Sequence, residues 1–245
     1  MGVSRVVVGR SVVEAPTNPT LQAPPPSPIV ILDWDDTILP NTHLARLGFV
    51  DERVGAISLT VSRNNQDELQ LQELEHQVTA FLSACAKLGT CYVVTNGLDG
   101  WVERSCARFL PKALPFIATM TIVSARATFE KRHPNRPVEW KIAAFTDLLA
   151  KHETLLSPAG LPLDNNRLRR SPQQILALGD SPIDRCAVQY VARRTPNVQL
   201  KSVKLIENPS MRQLTKQLAM LAGYLPQLGQ HNEALDLELS PRMLQ

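Results

Sequence analysis

The chain has no apolar run near the roughly 20 residues that a membrane helix needs, so no helical membrane span is expected. Its four cysteines, Cys85, Cys91, Cys106 and Cys186, contain no C-x-x-C pair. That removes the usual zinc and dithiol patterns and leaves free thiols, mostly in apolar stretches, as in a reducing compartment. Charge of one sign is also scarce. The net charge is +3 over 245 residues, too little to argue for a polyanionic or membrane-surface partner. No aromatic-interleaved basic stripe suggests a nucleic-acid platform. There is no internal repeat.

What is present is 44% apolar residues, ordinary for a globular domain. They are gathered into short runs that do not alternate with polar ones. The runs 28–33, 90–95, 117–124, 174–179 and 200–206 are rich in Ile, Val and Leu and read as strands buried on both faces of a parallel sheet. Helical patterns fall between them at 66–88, 99–109, 138–151, 182–193 and 208–221. In helix 66–88 the packing face is read as Leu69, Leu71, Leu74, Val78, Phe81, Leu82 and Cys85, with Gly89 as C-cap. Strands alternating with helices predict an α/β fold, a Rossmann-like parallel sheet with helices on both faces.

The domain boundaries follow composition. Six of the nineteen prolines lie in the first 28 residues, so 1–27 is read as a disordered Pro-rich leader. Arg5 and Arg10 against Glu14 leave a mitochondrial presequence open; the cytoplasm is the expected compartment. Met1-Gly2 lacks the Ser or Thr at position 6 that myristoylation wants. Residues 28–222 form the α/β domain, and 223–245 a loosely packed tail in which 234–239 alternates like an edge strand. The stretch 152–173 reads as a long surface loop.

Chemistry concentrates where the strands end. Asp33-Trp34-Asp35-Asp36-Thr37 follows Ile29-Val30-Ile31-Leu32. Carboxylates at i and i+2 of an extended strand point the same way. In a water-poor setting they need a cation or a proton. Thr95 ends the second strand, Gly179-Asp180-Ser181 the fourth, and Asp184 follows one turn later. Lys141 opens helix 138–151, with Lys131 and Arg132 as rival cations. Each has a plainer reading. Asp33 and Asp35 could be turn residues, Thr95-Asn96-Gly97 a simple turn, and Asp180 and Asp184 a helix cap with a first-turn acid.

Taken together, in this order and context, these motifs resemble the haloacid dehalogenase-like (HAD) phosphohydrolases over roughly residues 28–210. Leu32-Asp33-Trp34-Asp35-Asp36-Thr37-Ile38-Leu39-Pro40, Ser124-Ala125-Arg126 and Trp140-Lys141 are similar to a eukaryotic group of that family. The resemblance implies a Mg²⁺-dependent phosphatase. Asp33 would be the nucleophile that becomes an aspartyl phosphate. Asp35 would protonate the leaving oxygen and then activate water. Thr95 and Asn96 would bind the phosphoryl group, and Lys141 would neutralise it together with Asp33. The ion would be held by Asp33, Asp35, Asp180 and Asp184, an all-oxygen set suited to Mg²⁺. Position 36 departs from the family's common Gly, although Asp tolerates unusual backbone angles better than most residues, so the loop can still form.

Such enzymes often carry a cap domain. Here only about 25 residues, 40–65, are spare between the first two motifs, too few to bury a core, and little is spare between Thr95 and Lys141. The expected cap is minimal or absent. An open site suits a phosphate carried on a macromolecule, a phosphoprotein for instance, steered by basics such as Lys131, Arg132, His133, Arg167, Arg169, Arg170, Arg193 and Arg194. The rival reading is a catalytically silent scaffold or binding subunit on the same fold.

Overall fold

The computed structural model describes residues 26–51, 56–58, 64–156 and 171–244. The leader up to residue 25, most of the 152–173 loop, and Arg167, Arg169 and Arg170 lie outside the described residues. Two of the strands, β2 (Val50–Asp51) and β3 (Ala56–Ile57), pair as a short antiparallel hairpin. The others are β1 (Ile29–Leu32), β4 (Thr90–Thr95), β5 (Thr121–Ser124), β6 (Gln173–Gly179), β7 (Val198–Lys204) and β8 (Leu235–Glu238). They form one six-stranded sheet in the order β5-β4-β1-β6-β7-β8, with every neighbouring pair parallel. Counting only the strands of this sheet, the order is 3-2-1-4-5-6, that of a doubly wound Rossmann-like fold. The winding direction reverses between β1 and β6. In such sheets ligands lie beyond the carboxyl ends of the strands at that reversal.

The non-alternating sequence of β1 has a direct cause. Val30 and Leu32 pack into one core with α2 (Asn65–Leu88), α3 (Trp101–Phe109) and α8 (Met211–Gln230). Ile29 and Ile31 pack into a second core with α5 (Ala125–Phe129), α6 (Pro137–Leu156) and α7 (Pro182–Ala192). Each face of the strand thus meets apolar helices, and all four residues are buried. The remaining helices, α1 (Asn41–Arg46) and α4 (Leu114–Ile117), are short.

Three expectations need correction. The apolar run 117–124 is not all strand: Ile117 ends α4 and β5 begins at Thr121, because a short apolar run does not distinguish helix from strand. The chain after 223 is not loosely packed as far as Gln230, although none of 231–244 is buried. Helix α8 runs on to Gln230 through Pro226, with Leu225 and Leu228 buried, and β8 adds an edge strand to β7 where alternation suggested one. In α2, Leu69 faces outward at 66% exposure, while Leu71, Leu74, Val78, Phe81, Leu82 and Cys85 are buried as expected. Gly89 is the C-cap of α2 as expected, its N–H donating to Cys85 O, but the glycine is needed for space and not for a left-handed backbone. Its backbone is extended, and a Cβ there would meet the Pro28 carbonyl oxygen at 1.9 Å.

Cys85 and Cys106 are buried, Cys91 is half-buried and Cys186 exposed, and all four are free thiols. Among the described residues no helix is long and apolar enough to cross a membrane. Between Thr37 and α2 the described residues form only α1 and the β2–β3 hairpin, and between Thr95 and Lys141 only short helices and β5. No separate domain stands over the sheet among them.

Candidate functional site

The carboxyl ends of β1 and β6 meet at the reversal point. The Asp33 N–H donates to Leu178 O at 2.9 Å, carrying the β1–β6 ladder one residue beyond the strand. The chain then turns sharply: Ile38 N and Leu39 N both donate to Trp34 O, and Asp36 N donates to Leu39 O. Asp36 holds φ at +55°, the left-handed region where Gly would be unstrained. Its carboxylate accepts from the Thr42 N–H at 3.0 Å and from the Thr42 hydroxyl, which fastens this turn to α1. The Trp34 side chain is fully buried, and its Nε1 donates to Ser105 Oγ at 2.9 Å.

Asp33, Asp180 and Asp184 bring carboxylate oxygens within 4.8 Å of one another. Lys141, 2% exposed, reaches them from the first turns of α6. Its Nζ donates to Asp33 Oδ1 at 2.6 Å, to Val94 O at 2.9 Å, and to Asp184 Oδ1. Lys131 is exposed, so the lysine at the site is Lys141. Asp184 is at once a cap and a site residue. Its Oδ2 accepts from the Ser181 N–H and hydroxyl in a capping box that starts α7. Gly179 is required by this crowding, since a Cβ there would lie 2.6 Å from Asp184 Cβ. The Thr37 hydroxyl accepts from the Asp180 N–H at 3.0 Å and faces Asp180 Oδ1 at 3.5 Å, so the turn after β1 is tied to the end of β6.

Asp35 stands apart from this group. Its Oδ1 accepts from Trp101 Nε1 at 2.8 Å and its Oδ2 from the Thr95 hydroxyl at 3.4 Å. Its expected share in metal ligation therefore gets no support from its carboxylate. Thr95 Oγ1 also accepts from the Gly97 N–H at 2.8 Å. Asn96 does not join the charged groups; its Nδ2 donates to Pro137 O at 3.5 Å, tying this loop to the start of α6. Trp101 was not among the expected site residues. It sits six positions past Thr95 and opens α3, where an aromatic reads simply as packing.

The charges do not balance. Three clustered carboxylates share one ammonium. Burial, then repulsion from Asp184, pushes Asp33 well above the ordinary carboxylate range despite Lys141. Burial and then Asp184 and Asp36 push Asp180 up to about 7. Burial raises Asp35 to about 6 against the pull of the Trp101 hydrogen bond. Burial alone would pull Lys141 down, but Asp184 and Asp33 more than offset it and hold the ammonium above its ordinary range. A buried excess of negative charge calls for protons or a cation. The donor set, carboxylate oxygens alone, suits a hard divalent ion such as Mg²⁺. No family model, curated protein or solved structure matches the chain.

Proposed function

We propose that the protein is a Mg²⁺-dependent phosphohydrolase of the haloacid dehalogenase-like type that works through an aspartyl phosphate on Asp33. The observation that carries this reading is the division of labour at the reversal point. One group, Asp33, Asp180 and Asp184 with Lys141, is over-supplied with negative charge. Asp35, two residues on, is held apart by neutral donors. A nucleophile beside a cation and a separate acid–base group are what two-step phosphoryl transfer requires.

In the first step the Asp33 carboxylate attacks phosphorus, the bond to the leaving oxygen breaks, and protonated Asp35 gives that oxygen its proton. In the second, Asp35 takes a proton from water. The water oxygen attacks phosphorus, the bond to Asp33 breaks, and inorganic phosphate leaves with Asp33 restored. Lys141 neutralises charge on Asp33 and on the transferring oxygens throughout. Thr95 holds Asp35 and the phosphate side of the loop. Asp33 and Asp180 would hold Mg²⁺, with Asp184 orienting Lys141; the ion would supply charge neutralisation at the phosphoryl oxygens. The lack of a separate domain over the site among the described residues supports a substrate whose phosphate is borne on a larger molecule, a phosphoprotein being the simplest case.

The test is release of phosphate from an aryl phosphate and a phosphopeptide panel, with Mg²⁺ or with chelator. Wild type should turn over only with the metal. Asp33→Asn should lose activity by at least about a thousandfold, as removal of a covalent nucleophile does. Absence of metal-dependent release across the panel would favour the silent-scaffold reading instead.

A further inference from the structure

Two indole rings lace the turn after β1 to helix α3. Trp34 Nε1 donates to Ser105 Oγ, and Ser105 Oγ in turn donates to Trp101 O at 2.7 Å. Trp101 Nε1 then donates to Asp35 Oδ1. Both rings are buried, Trp101 to 2% exposure. The surrounding chain is shaped to let Trp101 in. Gly100 takes φ +68° to start α3, and a Cβ on Gly97 would lie 2.6 Å from the indole Cδ1. The loop leaving β4 thus lies flat against the ring, and the ring's one polar atom is aimed at one carboxylate oxygen.

We propose that Trp101 is a positioning residue that sets which oxygen of Asp35 handles the proton. This rests on the phosphohydrolase reading above. An indole N–H only donates, so Asp35 Oδ1 is committed as an acceptor in both protonation states. The proton passed to the leaving oxygen, and later taken from water, is therefore carried by Oδ2. That oxygen has the looser partner, Thr95 Oγ1 at 3.4 Å, which can swing between accepting and donating. The indole also holds the Asp35 carboxylate off the Asp33–Asp180–Asp184 group, so the acid–base group is not drawn in as a further ligand.

Trp101→Phe keeps the ring and removes the N–H. A leaving group that departs without help, as in nitrophenyl phosphate, barely needs the acid, whereas an alkyl phosphate depends on it. The variant should therefore lose on the order of tenfold more kcat/KM on an alkyl phosphate than on nitrophenyl phosphate, with kcat rather than KM carrying the loss. It should still form the Mg²⁺–fluoroberyllate adduct at Asp33, seen by fluorine NMR, because that adduct needs no proton transfer. Equal losses on both substrates, or no loss on either, overturn the positioning role while leaving the phosphohydrolase reading intact. A wild type that neither turns over nor forms the adduct overturns both. Should Trp101→Phe fail to fold, the indole N–H resonance of Trp101 in nitrogen-labelled protein replaces it. It should lie further downfield in wild type than in Asp35→Asn; an unchanged position overturns the proposal.

Discussion

Two networks of ionic side chains sit at the carboxyl edge of the sheet, and they begin on adjacent residues. Asp184 points inward to Lys141 and Asp33, where the participating side chains are 2% to 10% exposed. Arg185 points outward and pairs with Asp236 and Glu238 of β8, whose side chains are 44% and 53% exposed. Lys204 joins the outer network through Glu207 and Glu238. Arg185, Asp236, Glu238 and Glu207 keep water as an alternative partner, so their pairing adds little; Lys204 is the exception, buried at 9% exposure but matched by carboxylates that are themselves half in water. The inner groups have lost theirs, and their carboxylates outnumber the ammonium that serves them. The lesson is that the number of ion pairs at this edge says less than their water supply: the same chemistry is ornament at β8 and a demand for protons or a cation at β1 and β6.

The largest test of that contrast removes the inner cation. Lys141→Met strands buried carboxylates without their ammonium and should lower stability at pH 8 by about 3–5 kcal/mol, read by urea denaturation with chelator present. A loss no larger than that of a surface substitution would erase the distinction between the networks.

The next test has the opposite sign. Asp180 is raised to about 7, so at pH 8 the metal-free fold holds it charged at a cost. Asp180→Asn should stabilise the chelated protein by about 2 kcal/mol while abolishing the stabilisation that Mg²⁺ gives wild type. The pH dependence follows the same logic. Asp35 and Asp180 bind protons more tightly folded than unfolded. Their contribution is fully present below about pH 4 and is lost as pH rises through about 6 and 7. The outer network runs the other way. The hydrogen bond from Arg185 lowers Asp236 below its usual value, so its contribution is present above about pH 4 and lost only under more acid conditions. Metal-free wild type should therefore lose stability between pH 4 and 7, and Asp180→Asn should flatten that slope. The smallest effect belongs to Arg185→Gln, which should barely move the denaturation midpoint at pH 7. A large loss there would mean that β8 is held by this network rather than by its ladder with β7.

Much of this contrast was legible in the sequence. Residues that do not alternate, Ile29-Val30-Ile31-Leu32 above all, fit a strand covered on both sides, and with helical patterns falling between such runs they pointed to a parallel Rossmann-like sheet. The inner acids were readable because Asp33 and Asp180 each follow such a strand directly and Asp184 comes one turn after the second. Lys141 is favoured over Lys131 because it opens a helix, and the fold decides between them: Lys131 lies exposed ahead of α6, whereas Lys141 on its first turns reaches Asp33. The end of α8 was hidden by Gly223 and Pro226, both ordinary stop signals. The helix continues past them because Leu225 and Leu228 bury in the core shared with α2. Trp101 was hidden for a related reason. An aromatic at the head of a helix looks like core, and its single donor acquires meaning only once the Thr95–Gly97 loop folds the ring against Asp35.

The most direct measurement is fluorine NMR of the protein with Mg²⁺ and fluoroberyllate, since this mimic of a phosphorylated aspartate needs both the ion and a free acceptor carboxylate. Bound resonances are expected in wild type with Mg²⁺, and none with chelator or in Asp33→Asn. No bound resonance in folded wild type at saturating ion and mimic, or an undiminished one in Asp33→Asn, would contradict the account.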